Sequence, residues 1–249
     1  MTKITAIIPT LNEEIHIEAA IESVNFADEI IVIDSYSSDN TVQLAEKQNV
    51  KIIKRKFDDF SSQKNFAIKQ AKHPWIYILD ADERVPLKVV KEILKAVKRP
   101  KGKVGFYIKR SFYFAGKNLK YGGCQRDKVV RLFLKEFCSY KGTVHEIIEA
   151  KGDLGIFKYK IEHYSYRSYK HYISKMNHYG SLRAQEYFLS GKKINAFHFY
   201  IKPIARFFIH YIVRLGFLDG YQGFVFAKLQ AYGVSVRYQK LRLLNKINT

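Results

Sequence analysis

Two cysteines, five prolines and one tryptophan among 249 residues exclude several classes of protein at once. Cys124 and Cys138 are too few for a disulfide scaffold or a four-cysteine zinc module, and they suit a reducing cytoplasm. There is no run of about 18 uncharged apolar residues, so a spanning helix is not expected. The apolar start Ile4–Pro9 soon meets Asn12, Glu13 and Glu14, too short for a secretory signal core, and a cytoplasmic chain is expected. Acidic residues are scarce as well, 23 Asp+Glu against 43 Lys+Arg, leaving a net charge of +20. With 47% hydrophobic and 15% aromatic residues the chain is not of the disordered kind, and its length is ample for a core.

The excess positive charge calls for an acidic partner or surface. It is uneven: residues 151–249 hold 17 Lys+Arg and 4 Asp+Glu, a net +13, and carry 21 of the 37 aromatic residues. Residues 1–150 hold 26 and 19, a net +7. Nucleic acid, anionic lipid headgroups and phosphorylated glycans all fit that description.

The first hundred residues alternate between strand and helix patterns. Ile4–Pro9, Glu29–Asp34, Val50–Lys54 and Trp75–Leu79 read as buried parallel strands, with helices over Glu13–Val24, Thr41–Gln48, Ser61–Ala71 and Pro86–Arg99. Such alternation predicts an α/β fold around a doubly wound, mostly parallel sheet. Ligands of these sheets lie beyond the carboxyl ends of the strands. Pro9-Thr10-Leu11-Asn12-Glu13, Asp34-Ser35 and Asp80-Ala81-Asp82-Glu83 therefore fall on one rim. Later strands are expected at Gly105–Phe114, Lys128–Leu134, Glu146–Ala150 and Ile156–Tyr164, and helices at Ser168–Leu189, Phe197–Leu215 and Asp219–Leu244.

Asp80-x-Asp82 is the sharpest chemical feature. Two carboxylates at a strand end can offer hard oxygen ligands to a divalent cation that also binds a diphosphate; the alternative is a turn cap beside a solvated acid. Asp34 can accept hydrogen bonds from a base or ribose, while Asp39 suits the cap of the next helix. Arg131 alternates with Val130 and Leu132 and is expected on the opposite face from both, free to meet a phosphate, the acceptor or a structural carboxylate.

The runs IIPTLNEE (Ile7–Glu14), ADEIIVIDSYSSDNT (Ala27–Thr41), FSSQKNFAI (Phe60–Ile68) and WIYILDADERV (Trp75–Val85) resemble the family 2 glycosyltransferases of the GT-A fold. Gly122–Gly123, VVRLF (Val129–Phe133), VHE (Val144–Glu146), HYSY (His163–Tyr166) and GFLDG (Gly216–Gly220) resemble the bacterial lipopolysaccharide inner-core β-glucosyltransferase branch. The resemblance implies an inverting hexosyl transfer from a nucleotide sugar, UDP-linked by analogy, to a glycan or glycolipid acceptor. Pro9, Thr10, Glu13 and Asp34 would then contact the nucleoside, and Lys64 would neutralise the diphosphate. Asp80 and Asp82 would serve Mg²⁺ or Mn²⁺, with His163 as a further candidate ligand. Glu146 would be the base, and His145 could orient it. The chain departs from that branch after the paired glycines, where Cys124, Gln125 and Arg126 replace an aromatic-aromatic-Pro stretch, which leaves the acceptor open.

The resemblance suggests three segments: a donor-binding part (1–104), an acceptor and base part (105–166) and a helical extension (167–249). In the last, Lys202, Arg206, His210 and Arg214 recur every four residues beside an aromatic-rich apolar side. That is the pattern of a basic amphipathic helix lying on an anionic membrane, or of one packed on the protein with its cations in water. A peripheral position on the cytoplasmic face of the inner membrane is the expectation; a homodimer contact through the last helix stays open. Competing readings are a polynucleotide- or lipid-binding protein with a degenerate enzyme domain, a sugar-phosphate nucleotidyltransferase and a glycosidase. The rim carboxylates oppose the first, so no nucleic-acid partner is expected. The lack of a glycine-rich phosphate loop after the first strand weakens the second, and the third needs no nucleoside-binding rim.

Overall fold

The computed structural model describes residues 3–124, 127–142, 146–166 and 169–247. Strands β1 (Ile4–Thr10), β2 (Glu29–Asp34), β3 (Lys51–Lys54) and β4 (Trp75–Ile78) pair in parallel in the order β3-β2-β1-β4. Their unbroken apolar runs follow from burial on both faces. Ile4, Ala6, Ile8, Val32 and Tyr77 pack with α1 (Ile17–Ser23) and α4 (Leu87–Lys98) through Ile17, Ile21, Val89 and Ile93. The intervening Ile7, Ile31, Ile33, Ile76 and Ile78 meet Ala67 and Ile68 of α3 (Phe60–Lys69). Helices on both faces give the doubly wound arrangement expected. The cap expected of Asp39 falls instead to Asn40, which precedes the short α2 (Thr41–Glu46); Asp39, one residue earlier, accepts from the Thr41 amide at 3.0 Å.

Beyond β4 the sheet becomes antiparallel. Two-residue β5 (Glu83–Arg84), long β6 (Lys103–Phe114), β8 (Lys128–Leu134) and β11 (Asp153–Tyr166) extend it in the order β4-β8-β6-β11-β5, while β7 (Lys117–Leu119) pairs with the end of β6. A separate pair joins β9 (Cys138–Lys141) to β10 (Ile147–Ala150).

One irregularity corrects the expectation for Arg131. Phe106 opposes Leu132 and Tyr107 opposes Val130, so Arg131 is the extra residue of a β-bulge. Simple alternation fails there. Val130 joins the core under α3 and Leu132 the core on the other face, while Arg131 is re-aimed toward the acidic rim.

The chain divides into two compact units, Met1–Arg110 with Asp127–His163, and Ser111–Arg126 with Tyr164–Thr249. β6 and β11 each begin in the first unit and end in the second. In the second unit α5 (Tyr169–Leu189) packs against α7 (Tyr221–Ile247). Its core holds Phe114, Leu119, Tyr172, Phe226 and Leu229, with a further cluster of Ala184, Val234, Tyr238 and Leu241.

The helix expected over 197–215 is a composite: a π turn Phe197–Ile201, α6 (Lys202–Phe208), and a second π turn Ile209–Val213. Its basic stripe does not face water. Lys202 donates to the Tyr238 hydroxyl at 3.2 Å and Arg206 to Gln230 Oε1 at 3.3 Å. His210 is buried, with Nδ1 2.7 Å from the Gly122 carbonyl and Nε2 3.3 Å from the Arg214 guanidinium. The reading in which the apolar side packs on the protein with its cations in water is thus inverted: three of its four basic positions turn inward, and only Arg214 is exposed.

The same contacts give two sequence motifs a structural purpose. Gly123, at φ +95°, lies under Arg214, whose Nη1 would be 2.6 Å from an added Cβ. The buried Asp219 of GFLDG accepts from the backbone amides of Lys120 (3.1 Å) and Tyr121 (2.8 Å). Asp219 of the GFLDG turn thus holds the residues just before the paired glycines, and Arg214 covers Gly123 within the same unit.

Candidate active site

The ends of β1 and β4, the start of α3 and the residue before β10 converge on one cleft. Pro9, Thr10, Glu13, Lys64, Asp80, Asp82 and Glu146 all line it, together with Ser35, Phe57, Phe60 and Gln63. Its volume of about 370 Å³ lies within the range of ligand clefts. Each strand runs out at the carboxyl edge of the sheet, which is why residues so far apart in sequence share one wall.

Lys64 is the electrostatic hub. α3, capped by the Asp59 carboxylate on the Ser62 amide at 2.8 Å, presents it on an inward turn, where it is 4% exposed. Its ammonium pairs with Glu146 Oε1, lies 3.7 Å from Asp80 Oδ1, and sits 5.1 Å above the Tyr140 ring. Burial lowers the Lys64 pKa, but Asp80 and Tyr140 outweigh it, and the lysine is held above its ordinary value. The buried Tyr140 hydroxyl is pushed up to about 12.

Asp80 is held from two sides, by Lys64 and by Arg131, whose Nη2 pairs with Oδ2. Burial raises the Asp80 carboxyl, yet Arg131 and Lys64 together hold it well below the usual carboxylate range. Arg131 also reaches Glu83 Oε1 at 2.6 Å, and Arg110 bridges Glu83 (3.3 Å) to Asp127 (2.5 Å). Glu83 is fully buried; burial raises its pKa, and Arg131 does not fully reverse this. The sequence places Glu83 on the rim but gives it no role of its own; here it is the buried partner of Arg131 and Arg110.

Of the sequence candidates, Pro9, Thr10, Glu13, Lys64, Asp80, Asp82 and Glu146 are brought together, and His163 comes within 3.4 Å of Asp82 through Nε2. Two are not part of the cleft wall. Asp34 is fully buried and accepts from the Ser37 amide (2.9 Å) and hydroxyl (2.5 Å). Arg131 lies 3% exposed behind Asp80 and lines a smaller cavity of about 180 Å³, which shares Glu146 with the main cleft. His145, Gln125 and Arg126 lie outside the described residues.

Two buried oxygens on the cleft wall have no hydrogen-bond partner among the described residues: Thr10 Oγ1 and Glu146 Oε2. Glu146 thus has one oxygen held by Lys64 and the other buried, with no partner among the described residues. No group of three His, Cys, Asp or Glu suited to a metal exists among the described residues. The Asp82 carboxylate and His163 imidazole nonetheless form an oxygen–nitrogen donor pair. That suits a cation which takes one or two protein ligands and fills its remaining positions from phosphates and water.

Comparison with known proteins places the chain. A model of glycosyl transferase family 2 matches residues 5–142. An uncharacterized glycosyltransferase of Rickettsia felis is 31% identical over 97% of this chain and 90% of its own length. Another from Rickettsia bellii is 32% identical over 98% and 87%. A lipopolysaccharide core biosynthesis glycosyltransferase, LpsC of Rhizobium meliloti, is 27% identical over 94% and 93%. Among solved structures, glucosyl-3-phosphoglycerate synthase of Mycobacterium tuberculosis is 21% identical over 45% of this chain and 43% of its own, with a TM-score of 0.38. With a family model covering more than half of its residues and relatives similar along nearly its full length, this chain belongs to glycosyl transferase family 2.

Proposed function

We propose that the protein transfers a hexose from a nucleotide sugar, UDP-linked, to a glycan or glycolipid acceptor such as lipopolysaccharide core, with inversion at the anomeric carbon. The observation that carries this reading is the placing of Glu146: its residue lines the same cleft as Asp80 and Asp82, with one carboxylate oxygen paired to the buried Lys64. A general base needs a carboxylate within reach of the acceptor hydroxyl. The acceptor oxygen attacks the anomeric carbon as Glu146 takes its proton. The bond to the diphosphate breaks on the opposite side, and the leaving group departs with the bonding electrons.

Lys64 has a second task in this scheme. It faces both Glu146 and the Asp80 end of the cleft, so an arriving diphosphate competes for its ammonium and loosens its hold on the base. Arg131, from behind, keeps Asp80 ionised and oriented. Asp82, with His163 and Asp80 beside it, would hold a divalent cation, Mg²⁺ or Mn²⁺, whose chemistry when bound is to offset charge on the diphosphate. Pro9, Thr10 and Glu13 line the nucleoside end. Asp34 acts there through the Ser35–Ser37 turn rather than by direct contact. Residues 1–104 then serve the donor, and 105–166 the acceptor and base.

An acceptor of this kind is presented at a membrane, and the relative involved in lipopolysaccharide core biosynthesis supports that setting. The protein is accordingly proposed to work as a peripheral protein on the cytoplasmic face of the inner membrane. Among the described residues no helix is long and apolar enough to cross a bilayer. A panel of nucleotides and nucleotide sugars, read as melting shifts with and without Mn²⁺, tests the donor side. Stabilisation by UDP that requires the metal supports the reading; no response to any nucleotide overturns it.

A further inference from the structure

The inward turn of the basic stripe leaves the opposite side of the same segment uncovered. Tyr200, Ile204, Phe208 and Ile212 recur every four residues, offset by two from the basic series, and stand outward with Ile201 and Val213. These six side chains are between 48% and 74% exposed. Contiguous apolar surface of this kind marks an interaction site rather than ordinary surface composition.

Its occupant is indicated by charge. The second unit holds 17 Lys+Arg and 2 Asp+Glu, a net +15. Exposed Lys193, Arg214 and Lys228 belong to this segment or its near neighbours. Two copies meeting through this face would bring two +15 units together, which opposes self-association, whereas an anionic surface complements them. The rings of Tyr200 and Phe208 suit the headgroup boundary of a segment lying in the interface.

We infer that the face formed by Tyr200, Ile204, Phe208 and Ile212 inserts into the interface of an anionic lipid bilayer, with the surrounding lysines and arginines drawn to its headgroups. This rests on the proposed peripheral setting and names the surface that makes the contact. It keeps the membrane reading of this segment and assigns the contact to its apolar side, while the basic stripe turns inward.

The test is co-sedimentation of the full chain with vesicles of phosphatidylcholine alone or of equal parts phosphatidylcholine and phosphatidylglycerol. Binding is expected to the anionic vesicles, reduced by salt but not abolished, and weaker by roughly tenfold or more in Ile204→Ser/Phe208→Ser. Equal binding by that variant, or none by the wild type, overturns the inference. So does a wild-type dimer in light scattering that the variant converts to monomer without any lipid binding. A Phe208→Trp variant gives a second readout against the buried Trp75: its emission should shift to the blue on anionic vesicles, and an unchanged spectrum overturns the inference. UDP-induced melting shifts in the same samples separate the two readings. Their loss with vesicle binding intact removes the donor proposal alone; vesicle binding lost with the shifts intact removes the membrane face alone.

Discussion

The two units handle charge in opposite ways. In the first, cations are paired with anions: buried Lys64 and Arg131, with half-buried Arg110, interleave with buried Glu83 and the partly exposed Glu146, Asp80 and Asp127. In the second almost no anions are present, so its inward basic groups settle on neutral acceptors, the Tyr238 hydroxyl, Gln230 and a neutral His210. Paired burial of charge fixes positions to within a hydrogen bond, as a reaction site requires. Unpaired positive charge leaves a field that reaches outward, as docking on an anionic surface requires.

The largest effect expected from breaking the first pattern is on turnover. Glu146→Gln should lower sugar transfer by about 10²–10⁴-fold while the melting shift with UDP and Mn²⁺ persists. Transfer at the wild-type rate would remove Glu146 as the base. Next is Arg131→Ala, which leaves Glu83 buried with Arg110 as its remaining partner in an ion pair. Urea midpoints should report a loss of about 3–5 kcal/mol. Arg131→Met with Glu83→Leu should recover part of that, because it removes the stranded charge.

In the second unit the comparison sharpens with pH. Burial and the nearby Arg206 lower the His210 pKa to about 4, against 6.5 for the free side chain. Between these values the unfolded chain binds a proton that the folded chain refuses, so stability is full above 6.5 and falls as pH drops toward 4. The total is up to roughly 3 kcal/mol. Melting temperatures across that window should slope upward with pH, and the slope should flatten in His210→Gln. The smallest effect belongs to a surface pair. Lys103 and Asp153, 3.1 Å apart with Asp153 80% exposed, should cost less than about 1 kcal/mol when Lys103 becomes Ala.

Much of the first unit was legible because its strands are buried on both faces and so appear as unbroken apolar runs. β8 matched its expected bounds, Lys128–Leu134. β5, with two residues, and β7, with three, were too short to show a period, and β9 alternates over only four. Asp80 and Asp82 followed from a motif at a strand end, Lys64 and Glu146 from the family resemblance, and all four line one cleft. The role of Glu83 and the altered aim of Arg131 were not legible. A bulge depends on how two strands count residues against each other, which neither strand records alone. The basic stripe failed for a related reason: spacing shows that four side chains share a face, not which way the face turns.

The π turns at either end of α6 add a consequence for the way this segment tolerates change. In a regular α-helix a series spaced by four drifts about 40° at each step. The wider π turn at Ile209–Val213 winds more slowly and takes back part of that drift between Lys202 and Arg214. Facing here is thus governed by residue count as much as by residue type. Losing one residue between Ile209 and Val213 would swing Arg214 by roughly 100° off Gly123. Replacing one apolar residue there by another would not disturb the phase at all. The segment works as a vernier: it tolerates changes of identity and is intolerant of changes in length.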